Sequence, residues 1–170
     1  VIISHSHASG VDNKSLIRRG ISLFMHKASI PIVNHCTDYR YACSGVAGEW
    51  LFGKQKVRSR DSFRVVRNTI DVQKFRFDEK CRERIRKENG IRENEKTVGF
   101  VGNFVHTKNV IFLIEIFSEI RKLNEKVRFI VIGEGGQKKE MEEAAARLHV
   151  RENILFTGRV ENVNEYMSAM

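Results

Sequence analysis

The chain has 170 residues, 41% hydrophobic and 30% charged, enough apolar content to bury a core in one domain or in parts of two. Lysine and arginine outnumber aspartate and glutamate 30 to 21, a net charge of +9 that favours anionic partners without specifying a fold. Cys36, Cys43 and Cys81 form no Cys-x-x-Cys pair, so neither a disulfide framework nor a zinc finger is indicated and a reducing compartment fits; no apolar run reaches membrane-spanning length, and no secretory leader pattern opens the chain.

Val1, Ile2 and Ile3 read as a strand, so the chain is expected to begin inside a larger fold. They lead into the polar segment His5-Ser6-His7-Ala8-Ser9-Gly10. Side chains two apart on an extended backbone share a face, so His5 and His7 can act on one ligand. A His-x-His pair can hold a metal, but no third ligand stands at helical or hairpin spacing; the expectation is a polar cleft lining and no metal. Over 14–27, Leu16, Ile17, Gly20, Ile21 and Phe24 fall on one helical stripe while Lys14, Arg18, Arg19 and Lys27 lie off it. Two readings suit that helix: an apolar side packed on the domain core, or a basic face against anionic lipid headgroups at a membrane surface.

Residues 40–44 read as a short strand, 45–52 as a helix, 54–60 as a solvated basic loop and 63–66 as a strand. Asn68 to Asp71 has turn chemistry, and 76–89 is a charged helix closed by Gly90. A polar, charge-rich segment between two strand-rich regions is where domains join.

The stretch 97–109 then combines a short buried strand (97–101), a turn marked by Gly102, and Lys108 just before an apolar helix from about Asn109. Gly99 and Gly102 allow close backbone approach, and Gly102 suits turn dihedrals that other residues avoid. A helix beginning after such a turn presents unpaired N–H groups and the positive end of its dipole, to which Lys108 adds a full charge. The spacing suits a phosphate, and equally an ordinary strand-turn-helix connection with a solvated lysine. Val110, Leu113, Ile114, Phe117 and Ile120 mark the helix, with Ile111, Phe112 and Ile116 widening its stripe until it should pack on a sheet. Residues 127–132 form a nearly continuous apolar strand, 137–149 a helix with Met141, Ala145 and Leu148 inward, 154–156 a strand, and 163–170 the start of another helix. Strand and helix alternating with buried strands is the pattern of a parallel sheet, an α/β fold. Ligands in such sheets bind beyond the carboxyl ends of the strands, so the loops at Gly102, Gly133 and Gly158 are expected to face one crevice.

Ala42-Cys43-Ser44, the run from Ala47 to Gly53, Asn68-x-Ile70-Asp71 with Phe75 and Phe77, Val101-Gly102 with Lys108-Asn109, Gly133-Glu134-Gly135 and Phe156-Thr157-Gly158 occur in the order found in bacterial glycosyltransferase family 4. The sequence resembles in particular the capsular and exopolysaccharide transferases of that family, whose chains carry a segment like His5-Ser6-His7. The resemblance implies a GT-B fold of two Rossmann-like domains with parallel sheets. On it, 1–67 is the latter part of the acceptor-side domain, 68–95 the interdomain connection and helix, and 96–170 the first half of the nucleotide-sugar domain. It further implies transfer of a sugar from a nucleotide diphosphate sugar to a glycan or lipid-linked acceptor, with retention of configuration and no cofactor, in the cytoplasm or at the inner face of the plasma membrane.

By the same resemblance Lys108 stabilises the diphosphate with the Gly102-Asn103 backbone, and Gly133, Glu134, Gly135, Thr157, Gly158 and Arg159 line the donor's nucleotide end. His5 and His7 face acceptor or sugar, with His7 beside Lys108 as the second residue of the chemistry. Two departures stand out. Asn103 occupies the place where family members usually have arginine, leaving an amide for a charged planar donor, with His106 and Arg159 the candidate replacements. The family's paired glutamates fall after Met170, so these residues alone are expected to be inactive, or to be a non-catalytic remnant that at most binds a nucleotide diphosphate. Nucleic acid is not an expected partner, because the basic residues are scattered among acids and no recognition motif accompanies them.

Overall fold

A computed structural model describes residues 1–10, 15–59 and 62–170. It divides into two units, Val1–Thr69 and Ile70–Met170.

The first unit runs β1 (Ile3–Ser6), α1 (Leu16–Cys36), β2 (Tyr39–Ala42), α2 (Gly45–Phe52), α3 (Lys54–Arg58) and β3 (Phe63–Val65). The strands pair in the order β1-β2-β3, all parallel, with His5 opposite Tyr41 and Tyr41 opposite Arg64. Ser44 caps α2 by accepting from the Ala47 amide at 3.1 Å, satisfying one of the first-turn donors. Its core is Ala42, Ala47, Phe52 and Phe63, with Val33 of α1 packed against it.

Two sequence expectations fail in this unit. Residues 54–58 are the helix α3 and not a loop; Arg60, the end of the expected loop, lies outside the described residues. The stripe of α1 does not lie on this unit's core: no residue of α1 is buried, and Leu16 and Phe24 are 81% and 74% exposed. Length accounts for it. A 21-residue helix spans about 31 Å, whereas the four-residue strands it joins span about 13 Å, so much of the helix has no sheet beneath it. Lys14, assigned to the same helix, is outside the described residues.

The second unit runs α4 (Glu79–Glu88), β4 (Lys96–Val101), a 3₁₀ turn (His106–Lys108), α5 (Val110–Leu123), β5 (Val127–Ile132), α6 (Lys138–Arg147), β6 (Ile154–Gly158) and α7 (Val163–Ser168). The strands pair in parallel in the order β4-β5-β6. Side chains of the central strand alternate between two cores, as the period of a strand requires. Phe129 and Val131 meet Ile114 and Phe117 of α5 and Met141 and Ala145 of α6. Ile130 and Ile132 meet Ile85 of α4, with Val163 and Tyr166 of α7 packed around them. Each such fully buried aliphatic or aromatic side chain contributes roughly 1.5–3 kcal/mol.

Here β4 is an edge strand with half-buried and exposed positions, where a buried strand was expected, because only β5 has neighbours on both sides. The charged helix starts at Glu79, not at 76, since Asp78 caps it by accepting from the Cys81 amide at 2.9 Å. Phe112 and Ile116, expected to widen the buried stripe of α5, are exposed; the sheet covers one side of the helix only.

Candidate functional site

The parallel register brings the carboxyl ends of β4, β5 and β6 to one edge, and the loops after them are laced together. Gly102 donates its amide to Ile132 at 3.0 Å, and Gly133 to Gly158 at 2.9 Å. Phe104 accounts for the rest of the lacing. Its amide donates to the Glu134 carbonyl at 2.8 Å, while its own carbonyl accepts from Gln137 at 3.2 Å. The ring of Phe104 is buried in the core beneath. A Cβ on Gly133 would collide with the Gly102 carbonyl, and one on Gly135 with the Phe104 carbonyl; both glycines also hold positive φ, +138° and +154°. Glycine at 133 and 135 is thus required by loop packing on loop. Gly102, expected to take turn dihedrals closed to other residues, does not: the left-handed conformation falls instead to Asn109, φ 47° and ψ 45°, a residue type that tolerates it.

Between Phe104 and Asn109, the single 3₁₀ turn His106–Lys108 carries the lysine to the amino end of α5. Asn103, His106 and Lys108 are all exposed, and the Lys108 ammonium has no hydrogen bond or ion pair with any described residue. No side chain caps the first turn of α5. A cation without an internal partner, beside uncapped N–H groups, is a preorganised place for negative charge.

On the other side of this edge, Glu134 and Arg159 are exposed, with Glu134 Oε1 3.7 Å from where a Cβ of Gly158 would stand. The Thr157 hydroxyl donates to the Gly158 carbonyl at 2.9 Å, so it offers a ligand only its lone pairs. Gly102, Asn103, Lys108, Gly133, Glu134, Gly135, Thr157, Gly158 and Arg159 therefore all belong to the second unit's loop edge or its border. His5 and His7 belong to the first unit. They are exposed and face each other with ring centroids 4.2 Å apart, and Tyr41 stands edge-on to His5 at 6.4 Å. Among the described residues no group of three or more His, Cys, Asp or Glu side chains is placed to hold a metal.

A polar network fastens β4 from behind. Arg86, 6% exposed, donates to the carbonyls of Arg92 (2.7 Å) and Glu95 (2.6 Å) and to Thr97 Oγ1 (3.2 Å), and Thr97 donates to Ala169 at 2.7 Å. Burial pushes the Arg86 guanidinium pKa down. Arg84 of α4 pairs with Glu165 of α7 at 2.7 Å. Hydrogen bonds from Asn162 and Arg84 hold the Glu165 carboxyl below its ordinary pKa, and the bond to Glu165 raises that of Arg84. Sequence reasoning missed Phe104, and it named Asn109 as the helix start without its left-handed turn. The spacing Gly133-x-Gly135 was a signal that some backbone approaches there, though not which.

Similarity to known proteins now bears on this edge. Residues 81–170 match the family described as glycosyl transferases group 1. The chain belongs to that family. EpsF of Bacillus subtilis, whose name is that of a glycosyltransferase, is 26% identical over 126 residues, which are 74% of this chain and 33% of EpsF. Alpha-monoglucosyldiacylglycerol synthase of Streptococcus pneumoniae is 28% identical over 100 residues, 57% of this chain and 23% of the synthase. The chain thus spans about a third or less of these curated relatives. The crystal structure of Anabaena Alr3699/HepE in complex with UDP-glucose superposes with a TM-score of 0.76 at 19% identity, over 98% of this chain and 44% of HepE. The fold is accordingly α/β of GT-B type.

Proposed function

We propose that the protein is a retaining glycosyltransferase that moves a sugar from a nucleotide diphosphate sugar to a growing surface polysaccharide or lipid-linked glycan. The observation that carries this is the unpartnered Lys108 at the uncapped amino end of α5, on the edge where three strand-end loops meet. Cleaving the sugar–phosphate bond places negative charge on the leaving diphosphate. Lys108 and the amides after Gly102 stabilise that charge as it develops, more in the transition state than in the ground state. Asn103 offers a hydrogen bond without charge, so the burden falls on Lys108, with His106 and Arg159, both exposed, as candidate replacements. Glu134, Gly158 and Arg159 take the nucleotide end, and His5 and His7 the sugar or acceptor. The HepE complex supports a uridine nucleotide as donor, and the relative that makes a glucosyl diacylglycerol supports a lipid-type acceptor. An acceptor at the membrane places the enzyme at the inner face of the plasma membrane, with the apolar and basic faces of α1 as contact; no described helix is long and apolar enough to cross it. The carrying segment holds the diphosphate end of the site, and turnover is assigned to the full-length protein, not to these residues alone.

The test is transfer by the full-length protein from UDP-sugars to a lipid-linked glycan, with the product's anomeric configuration read by NMR. Release of nucleoside diphosphate with a product of the donor's configuration is expected. An inverted product would overturn the retaining assignment, and failure of every nucleotide sugar to react would overturn the transfer reading.

A further inference from the structure

At the opposite end of the second unit's sheet, where β4, β5 and β6 begin, a cavity of about 380 Å³ is lined by Arg92, Arg121, Lys126 and Arg128 with only Glu95 and Glu125 as carboxylates. Strands of six residues put it about 20 Å from the glycine-laced loops. None of its four cations is paired with a carboxylate among the described residues. Glu95 is engaged by the Arg92 backbone amide at 2.7 Å, and the Arg121 guanidinium is turned on the carbonyls of Glu125 and Val127.

Arg128 is the informative residue. It occupies the face of the central strand that otherwise holds Ile130 and Ile132, and its Nε is shielded from water yet donates to nothing. A half-buried strand position so close to an apolar core is a costly place for a guanidinium whose Nε is shielded and unpartnered. The Nε–Nη edge is the one with which arginine grips two oxygens of a phosphate side-on, and turning it into the cavity would give the stranded donor a partner. Arg121, Lys126 and Arg92 would then neutralise the remaining charge.

We infer that this cavity is a second anion site, taking a phosphate group carried either by a soluble phosphate compound or by a lipid headgroup. It does not rest on the donor-site reading, since no residue is shared. Calorimetry with inorganic phosphate on the Lys108→Ala chain, which lacks the loop-edge cation, should still give saturable binding, weakened about tenfold by adding Arg128→Gln and about threefold by adding Lys126→Gln. Lys126 is exposed, so that variant decides the matter if Arg128→Gln fails to fold. Sedimentation with phosphatidylglycerol vesicles separates the sources: retention that Lys126→Gln weakens assigns the phosphate to a lipid, and phosphate binding without such retention assigns it to a soluble compound. Neither kind of binding, equal binding by all variants, or loss with Lys108→Ala alone would overturn the site. Retention of vesicles that is indifferent to Lys126 counts against the lipid source and leaves the decision to phosphate.

Discussion

Lys108 and Gly135 illustrate two kinds of residue at the same loop edge. Lys108 makes no described contact that folding depends on, so its removal should leave stability within about 0.5 kcal/mol. Gly135 is the reverse: a methyl group there would strike the Phe104 backbone at a φ of +154°. Gly135→Ala is expected to cost at least about 2 kcal/mol in urea unfolding, whereas Gly136→Ala, with open space around it, should cost little. Equal midpoints for the two variants would show that the loops are not packed as described. The contrast also separates roles that sequence motifs merge, because glycine at 133 and 135 is required by neighbouring backbone whether or not a ligand binds.

At the scale of elements, the clamp of α4 and α7 on β4 has a pH signature. The Glu165 carboxyl has a folded-state pKa below its ordinary value, owing first to Asn162 and then to Arg84. Such a group stabilises the fold fully above the unfolded carboxylate pKa of about 4.3, and that contribution is lost as pH falls through the lower folded value. Stability should therefore decline on acidification below about pH 4, and Glu165→Gln should flatten the decline; an unchanged slope would remove Glu165 from the linkage. The elements themselves were legible where one period dominated. The helix 45–52 and the strand 127–132 fall where sequence placed them, because capping by Ser44 and a nearly continuous apolar run leave few alternatives. Three features were not legible: the helix at 54–58, which has no apolar period; the exposure of α1, which depends on strand length; and Asn109, whose left-handed turn is fixed by the 3₁₀ turn before it.

For the whole molecule, each half of the chain repeats one physical scheme, a three-stranded parallel sheet with its crossovers in helices. Lys108 and its laced loops come from the second, and the paired histidines from the first. Resemblance carried over single positions supplied the roles, while the geometry supplies what those positions can do: Lys108 is available, Thr157 has already committed its proton, and Asn103 adds no charge. The account stands on negative charge being held at the amino end of α5. The most direct test is calorimetry of the chain with UDP and a panel of nucleotide sugars, against its Lys108→Ala variant. Saturable binding of one nucleotide, weakened about tenfold, or about 1.4 kcal/mol, by the substitution at an unchanged unfolding midpoint, is the predicted result. Equal affinity in both proteins, or no nucleotide binding by the folded chain, would contradict it.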